Sequence, residues 1–201
     1  MKVSLSWKTD DMVKHLSIAA GRCYGFSNVS EKRLKHCYES GHTGVLEHAS
    51  ISFIVEGISR ACSHQLVRHR MASYLQESQR YCKYDLEGDD WYVIPPAFDK
   101  NMYLMAMYND RMQEEAKAYS DAIRYGAKAE DARYLLPEAM KTTITVTVNV
   151  RSLFHFFDLR LGQHAQWEIR ELAVKMFDIF KKEEPFLAEL YKSNRDKTKI
   201  D

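Results

Sequence analysis

Between residues 141 and 150 the chain reads KTTITVTVNV, and no other stretch restricts the fold so tightly. Ile144, Val146, Val148 and Val150 alternate with Thr143, Thr145, Thr147 and Asn149. Side chains of an extended chain point to opposite faces in turn, so this period turns one β-branched apolar face to a core and leaves the hydroxyl-bearing face outside. A second strand is predicted from Ser50, with Ile51, Phe53 and Val55 on one side, Ser50, Ser52 and Ile54 on the other, and Gly57 as its end. The two strands lie far apart in sequence, and helical periodicity fills most of the rest. That order predicts an α+β (mixed α/β) domain, a small antiparallel sheet packed with several helices, rather than a doubly wound parallel sheet.

The helices announce themselves by their ends. Thr9-Asp10-Asp11 opens the first, with Val13, Leu16, Ala19, Ala20 and Cys23 near one face and Gly25 as a stop. Ser30 and Glu31 open a second that closes at Ser40-Gly41. Residues 58–67 read as a short helix with Ala61, Cys62 and Leu66 inward, running into a polar, irregular stretch up to residue 81. WYVIPP at 91–96 reads as a short apolar strand or an extended piece, stopped by its two prolines. A long helix is predicted over 101–125, closed by Gly126, and a short one from 128 to before Pro137. Helices over 151–160 and 164–182 and one from Pro185 complete the pattern. No repeat, low-complexity tract or linker interrupts it, so residues 1–201 are expected to form one domain.

Composition narrows the function classes. Lys and Arg number 29 against 28 Asp and Glu, and a nucleic-acid or membrane-surface binder usually carries a basic excess. No run of about 18 apolar residues and no leader-like N-terminus is present, which predicts a soluble, cytoplasmic protein. Cys23, Cys37, Cys62 and Cys82 form no CxxC pair and read as buried or half-buried free thiols. The histidines form no HExxH pair, so no metal site is expected. GxGxxG, GxxxxGK[ST] and GxSxG are all absent.

One segment carries the chemistry: Arg68-His69-Arg70-Met71-Ala72-Ser73-Tyr74-Leu75-Gln76-Glu77-Ser78-Gln79-Arg80. Guanidinium groups grip phosphate through paired hydrogen bonds, and serine hydroxyls can complete an oxyanion cradle. The plain alternative is a solvated loop with surface salt bridges. Arg133, in AEDARYLLP, has Glu130 and Asp131 as default partners. Arg160 ends SLFHFFDLR, where it complements the helix dipole, but Phe154, Phe156, Phe157, Leu159 and Leu161 around it call for an anionic or carbonyl partner. Asn149 and Arg151 flank the junction from the best strand to the next helix, a common place for ligand contacts. A different class of protein, one gripping single-stranded nucleic acid with Tyr74, Tyr81 and Tyr84, fits the loop but not the neutral charge.

These residues resemble the flavin-dependent thymidylate synthases. Arg68, His69, Arg70, Ser73, Ser78 and Arg80 match the family's R-H-R-x-x-S-x-x-x-x-S-x-R at each fixed position. Further blocks look similar: Ser59-Arg60-Ala61 with His64-Gln65-Leu66-Val67, Gly41-His42 with Glu47-His48, Asn149-Val150-Arg151-Ser152, and Asp158 to Arg160 leading into His164-Ala165-Gln166-Trp167-Glu168. The resemblance covers residues from about 15 to 190. It implies a homotetramer that methylates dUMP to dTMP, with active sites where subunits meet. FAD would be the cofactor, with 5,10-methylenetetrahydrofolate and NADPH or NADH as co-substrates and no cysteine nucleophile. By position, Gln65, Arg68, Gln76, Glu77, Ser78, Gln79, Arg80 and Arg133 look like dUMP ligands. His42, Gly44, Arg68, His69, Arg70, Gln76, Asn149, Arg151 and His155 look like FAD contacts. Arg160 resembles the catalytic arginine set over the uracil ring. Gly44 departs from the Ser or Thr common in the family, Cys23 from a small hydroxyl residue, Gln76 from Glu and His155 from Asn.

Overall fold

The computed structural model describes residues 1–197. Its strands are β1 (Lys2–Lys8), β2 (Ser50–Ser59), β3 (Ala72–Gln76) and β4 (Lys141–Asn149). They form one antiparallel sheet in the order β1-β2-β4-β3. The helices are α1 (Met12–Arg22), α2 (Glu31–Glu39), α3 (Arg60–Leu66), α4 (Pro96–Asp99), α5 (Met102–Arg124), α6 (Ala129–Ala132), α7 (Val150–Arg160), α8 (Trp167–Glu183) and α9 (Pro185–Lys197). Single 3-10 turns cover Thr43–His48 and Arg133–Leu135. The mixed α/β class and the small antiparallel sheet are as expected, and no helix among the described residues is long and apolar enough to cross a membrane.

Both strands predicted from alternation are the central pair, and β4 buries every second residue from Thr142 to Val148. The edge strands correct the sequence reading. β1 was not anticipated, and β3 replaces part of the stretch expected to be irregular. β2 also runs past Gly57, which sits inside it at φ +72°, a conformation that a residue without Cβ adopts freely. Of the two readings of WYVIPP, the extended piece holds: the segment forms only a bridge between Tyr92 and Met140 and no strand. Pro95 and Pro96 have no N–H for a ladder, and Pro96 starts α4 instead. Ala61 is exposed rather than inward, its place on the buried face of α3 taken by Ser63. Cys23 lies beyond the end of α1 and is also exposed.

The chain packs into two compact units. The first comprises Met1, residues 56–66 and residues 75–144; the second holds 2–55, 67–74 and the chain from 145 on. In the first, Tyr108, Met112, Ala116 and Tyr119 line one face of α5 and pack with Leu86, Trp91, Tyr92, Ala132 and Met140. In the second, Phe154 and Phe157 of α7 meet Phe177 and Phe180 of α8 and Tyr191 of α9, with ring centroids 5.0–6.1 Å apart. Burying a phenylalanine contributes roughly 2–3 kcal/mol, so this cluster holds α7 firmly. The start of α7 is set locally, as Asn149 Oδ1 caps it by accepting from the Ser152 N–H at 2.8 Å.

Candidate active site

Within the second unit, α7 ends at Arg160, whose Nε–H donates to His69 Nε2 at 3.1 Å. His69 is half-buried. Its ring meets Phe156 edge-on at 4.9 Å, lies 6.4 Å from His155, and its backbone carbonyl accepts from the Tyr74 hydroxyl at 2.8 Å. Burial first, then the positive charge of Arg160 and His155 nearby, drive the His69 imidazole down to about 4. The ring is therefore neutral at pH 7. Because Nε2 accepts from Arg160, its proton sits on Nδ1. The expectation of an anionic or carbonyl partner for Arg160 is corrected to an imidazole lone pair, and Leu159 of its predicted apolar setting is exposed. Among the described residues only Nε of Arg160 makes a side-chain hydrogen bond.

Elsewhere in this unit the predicted residues stand apart. Arg151 pairs with Glu47, and Asn149 is committed to its cap. Arg68, Arg70 and His155 are exposed. His42 and Gly44 line a largely apolar cavity of about 450 Å³ together with Ala19, Ala20, Cys23 and Cys37. A Cβ added at Gly44 meets nothing within 4 Å, so the glycine is not forced by packing.

In the first unit the loop after β3 is held from several sides. Gln76 Nε2 donates to Ser63 Oγ at 2.9 Å and to Thr142 Oγ1 at 3.3 Å. The Glu77 N–H donates to the Thr143 carbonyl at 2.9 Å, and Ser78 Oγ accepts from the Arg80 N–H at 3.2 Å. Arg80 Nε donates to the Glu130 carboxylate at 2.7 Å, while Arg133 Nε donates to the Glu130 backbone carbonyl at 3.0 Å. So the default pairing of Arg133 with a carboxylate is corrected, since Arg80 takes that carboxylate. Glu130, weighed from sequence only as a partner of Arg133, brings the two arginines together. Gln79 and Arg133 line a polar cavity of about 350 Å³, and Gln65 is half-buried on α3. Glu47, Ser63 and Tyr74 are supporting residues whose roles sequence reasoning missed: Glu47 and Ser63 act through partners farther along the chain, and Tyr74 through the His69 backbone carbonyl, which no side-chain pattern marks.

A family model described as thymidylate synthase complementing protein matches residues 4–186. The chain belongs to that family. Relatives named flavin-dependent thymidylate synthase include the Pyrococcus furiosus protein, 49% identical over 152 residues, which are 75% of this chain and 62% of that protein. The Geobacter sulfurreducens protein is 44% identical over 193 residues, 90% of this chain and 82% of the relative. The Clostridium tetani protein is 38% identical over 214 residues, 93% and 85% of the two chains. The chain thus spans about three fifths of the length of the Pyrococcus relatives it matches. The structure thus holds two cationic groupings, Arg80 and Arg133 converging on Glu130 in the first unit and Arg160 donating to a neutral His69 in the second.

Proposed function

We infer that this chain is a flavin-dependent thymidylate synthase: it methylates dUMP to dTMP with 5,10-methylenetetrahydrofolate as carbon donor and NADPH or NADH as hydride source. The observation that carries this reading is the Arg160 guanidinium held through Nε by a neutral His69. The uracil carbon that takes the methylene is a poor nucleophile until the ring gains negative charge. A fixed, always-charged guanidinium stabilises that charge as it develops and needs no reorganisation to do so. A protonated His69 could not accept from Arg160, so its lowered pKa is part of the arrangement.

The nucleotide phosphate is assigned to Ser78, Gln79, Arg80 and Arg133, with Gln65, Arg68, Gln76 and Glu77 completing the dUMP contacts. Arg80 then exchanges the Glu130 carboxylate for phosphate. For FAD, the residues present fit: the apolar cavity at His42 and Gly44 suits a flat ring, and the exposed Arg70 and Arg151 suit a diphosphate. His69, Asn149, His155, Arg68 and Gln76 are the remaining proposed contacts. Bound there, the flavin supplies the two-electron chemistry, and the chain supplies position and charge. A cysteine nucleophile has no support: Cys37 is buried and its thiol is pushed up, by burial first and by Cys23 next, with Arg33 opposing. The domain over 1–201 is proposed to assemble as a cytoplasmic homotetramer, with each dUMP site drawing on more than one subunit. The exposed Met71, Leu75 and Tyr81 along and beyond edge strand β3 are consistent with a covered face.

The direct test is dTMP formation from dUMP, methylenetetrahydrofolate and NADPH, with and without added FAD. Product that depends on flavin and nicotinamide is expected. A folded, flavin-loaded tetramer that makes no dTMP overturns the reading.

A further inference from the structure

Arg60 opens α3 and has no role in the reading above. Its N–H donates to the Met140 carbonyl at 3.0 Å, and its own carbonyl accepts from Ser63 Oγ at 2.9 Å, so the residue is anchored at its backbone. From there the side chain reaches the nucleotide loop, where Nη2 donates to the Glu77 carbonyl at 2.8 Å, immediately before Ser78-Gln79-Arg80. Among the described residues Arg60 Nε is buried and makes no hydrogen bond of good geometry. Beside it lies the Tyr84 hydroxyl, also buried and without a hydrogen bond of good geometry. Burial first, and the Glu77 carboxylate next, push that phenol up to about 12, with Arg60 opposing. Arg60 is also one of the residues lining the 350 Å³ cavity, with His64, Gln79, Arg133 and the acidic Glu138.

A half-buried guanidinium whose Nε is shut off from solvent costs free energy unless its hydrogen bonds and its charge are used. Two uses are visible. Nη2 holds one carbonyl of the loop, and the positive charge stands with Arg133 in the lining of a polar cavity that also holds Glu138. Next to it Ser63 holds Gln76, so two side chains of α3 fasten two consecutive residues at the start of the loop.

We propose that Arg60 is a positioning residue for the nucleotide's phosphate, fixing the Ser78-Gln79-Arg80 loop through the Glu77 carbonyl and lending its charge to the cavity wall. This rests on the dUMP reading and adds to it a residue that does not need to touch the substrate. Because it works through the phosphate loop, its loss should discriminate dUMP from deoxyuridine, which has the same base and sugar and no phosphate.

The experiment measures binding of dUMP and of deoxyuridine to the FAD-loaded wild type, R60Q and R60K by calorimetry, together with KM and kcat. R60Q is expected to weaken dUMP by about tenfold or more while deoxyuridine stays within about twofold, with KM rising and kcat nearly unchanged. R60K, which keeps the charge and loses the fork, should fall between the two. Equal weakening of both ligands, or dUMP affinity within about twofold of wild type, overturns the proposal. If R60Q does not fold, R60K decides, and an unchanged preference for dUMP over deoxyuridine counts against the role. A wild type with no preference for dUMP is a different result, since it removes the dUMP reading itself.

Discussion

At the scale of single residues, the Arg160–His69 contact makes two separable demands on pH and charge. The His69 imidazole ionises near 6.5 in an unfolded chain and near 4 in the fold. Between those values the unfolded state binds the extra proton, so stability is complete above about 6.5 and declines as pH falls toward 4. The side chain is only half-buried, so after discounting for solvent the loss is on the order of 1 kcal/mol. Thermal denaturation at pH 7 and pH 4.5 should show a larger drop for wild type than for His69→Gln, and equal drops would remove His69 as the cause. Arg160→Ala should keep the flavin and lose turnover by about 10²–10³, the scale for removing a donor aimed at developing charge. It should also raise the His69 pKa, because the arginine's charge is one of the causes holding it down. NMR titration of the ring reads this directly, and unaltered dTMP production would end the case for Arg160.

At the scale of elements, α7 joins the strand β4 to the site. Its first turn is capped by Asn149, and its last residue is Arg160. Asn149→Ala should cost about 1 kcal/mol through the lost cap, whereas Asn149→Asp should keep the stability because a carboxylate also caps well. Comparing FAD affinity in the two variants separates the structural from the proposed cofactor role of Asn149. Flavin binding retained in Asn149→Asp but lost in Asn149→Ala tracks the cap; loss in both identifies a contact that needs the amide. The strands show why some elements were legible and others not. β2 and β4 each have a neighbour on both sides; burial of one face gives β4 strict alternation, while β2 keeps Ile51, Phe53 and Val55 buried and also buries Ser52 and Ser59. β1 and β3 lie at the edges, where Trp7 and Leu75 are exposed and the alternation carries little apolar contrast.

At the scale of the whole molecule, the residues assigned to dUMP and FAD fall in both compact units, with Gln76 to Arg80 and Arg133 in one and Arg68, His69 and Arg160 in the other. If each site draws on more than one subunit, an Arg68→Ala chain and an Arg80→Ala chain, each nearly inactive alone, should recover part of the activity when mixed and allowed to exchange. In a binary mixture up to about a quarter of shared sites would be intact. Absence of any recovery, with mixed tetramers demonstrated by mass spectrometry, would place both arginines in a site within one chain.

Local signals settled the central strands, the start of α2 at Ser30 and the ends of the long helix, because those depend on residues a few positions apart; the first helix is capped by Asp11 itself, with no acidic residue in its first turn. The Arg-His-Arg motif likewise points to nucleotide and flavin chemistry through the family resemblance it carries. Everything that depends on partners distant in the chain was decided by tertiary structure. Nothing near His69 in sequence indicates that Arg160 will donate to it, nor that the Arg151 partner will be Glu47. Glu130 could be weighed as a neighbour of Arg133, but its carboxylate goes to an arginine fifty residues earlier. The reason is physical: hydrogen bonds and burial act over a few ångströms, and only the folded chain brings such residues that close.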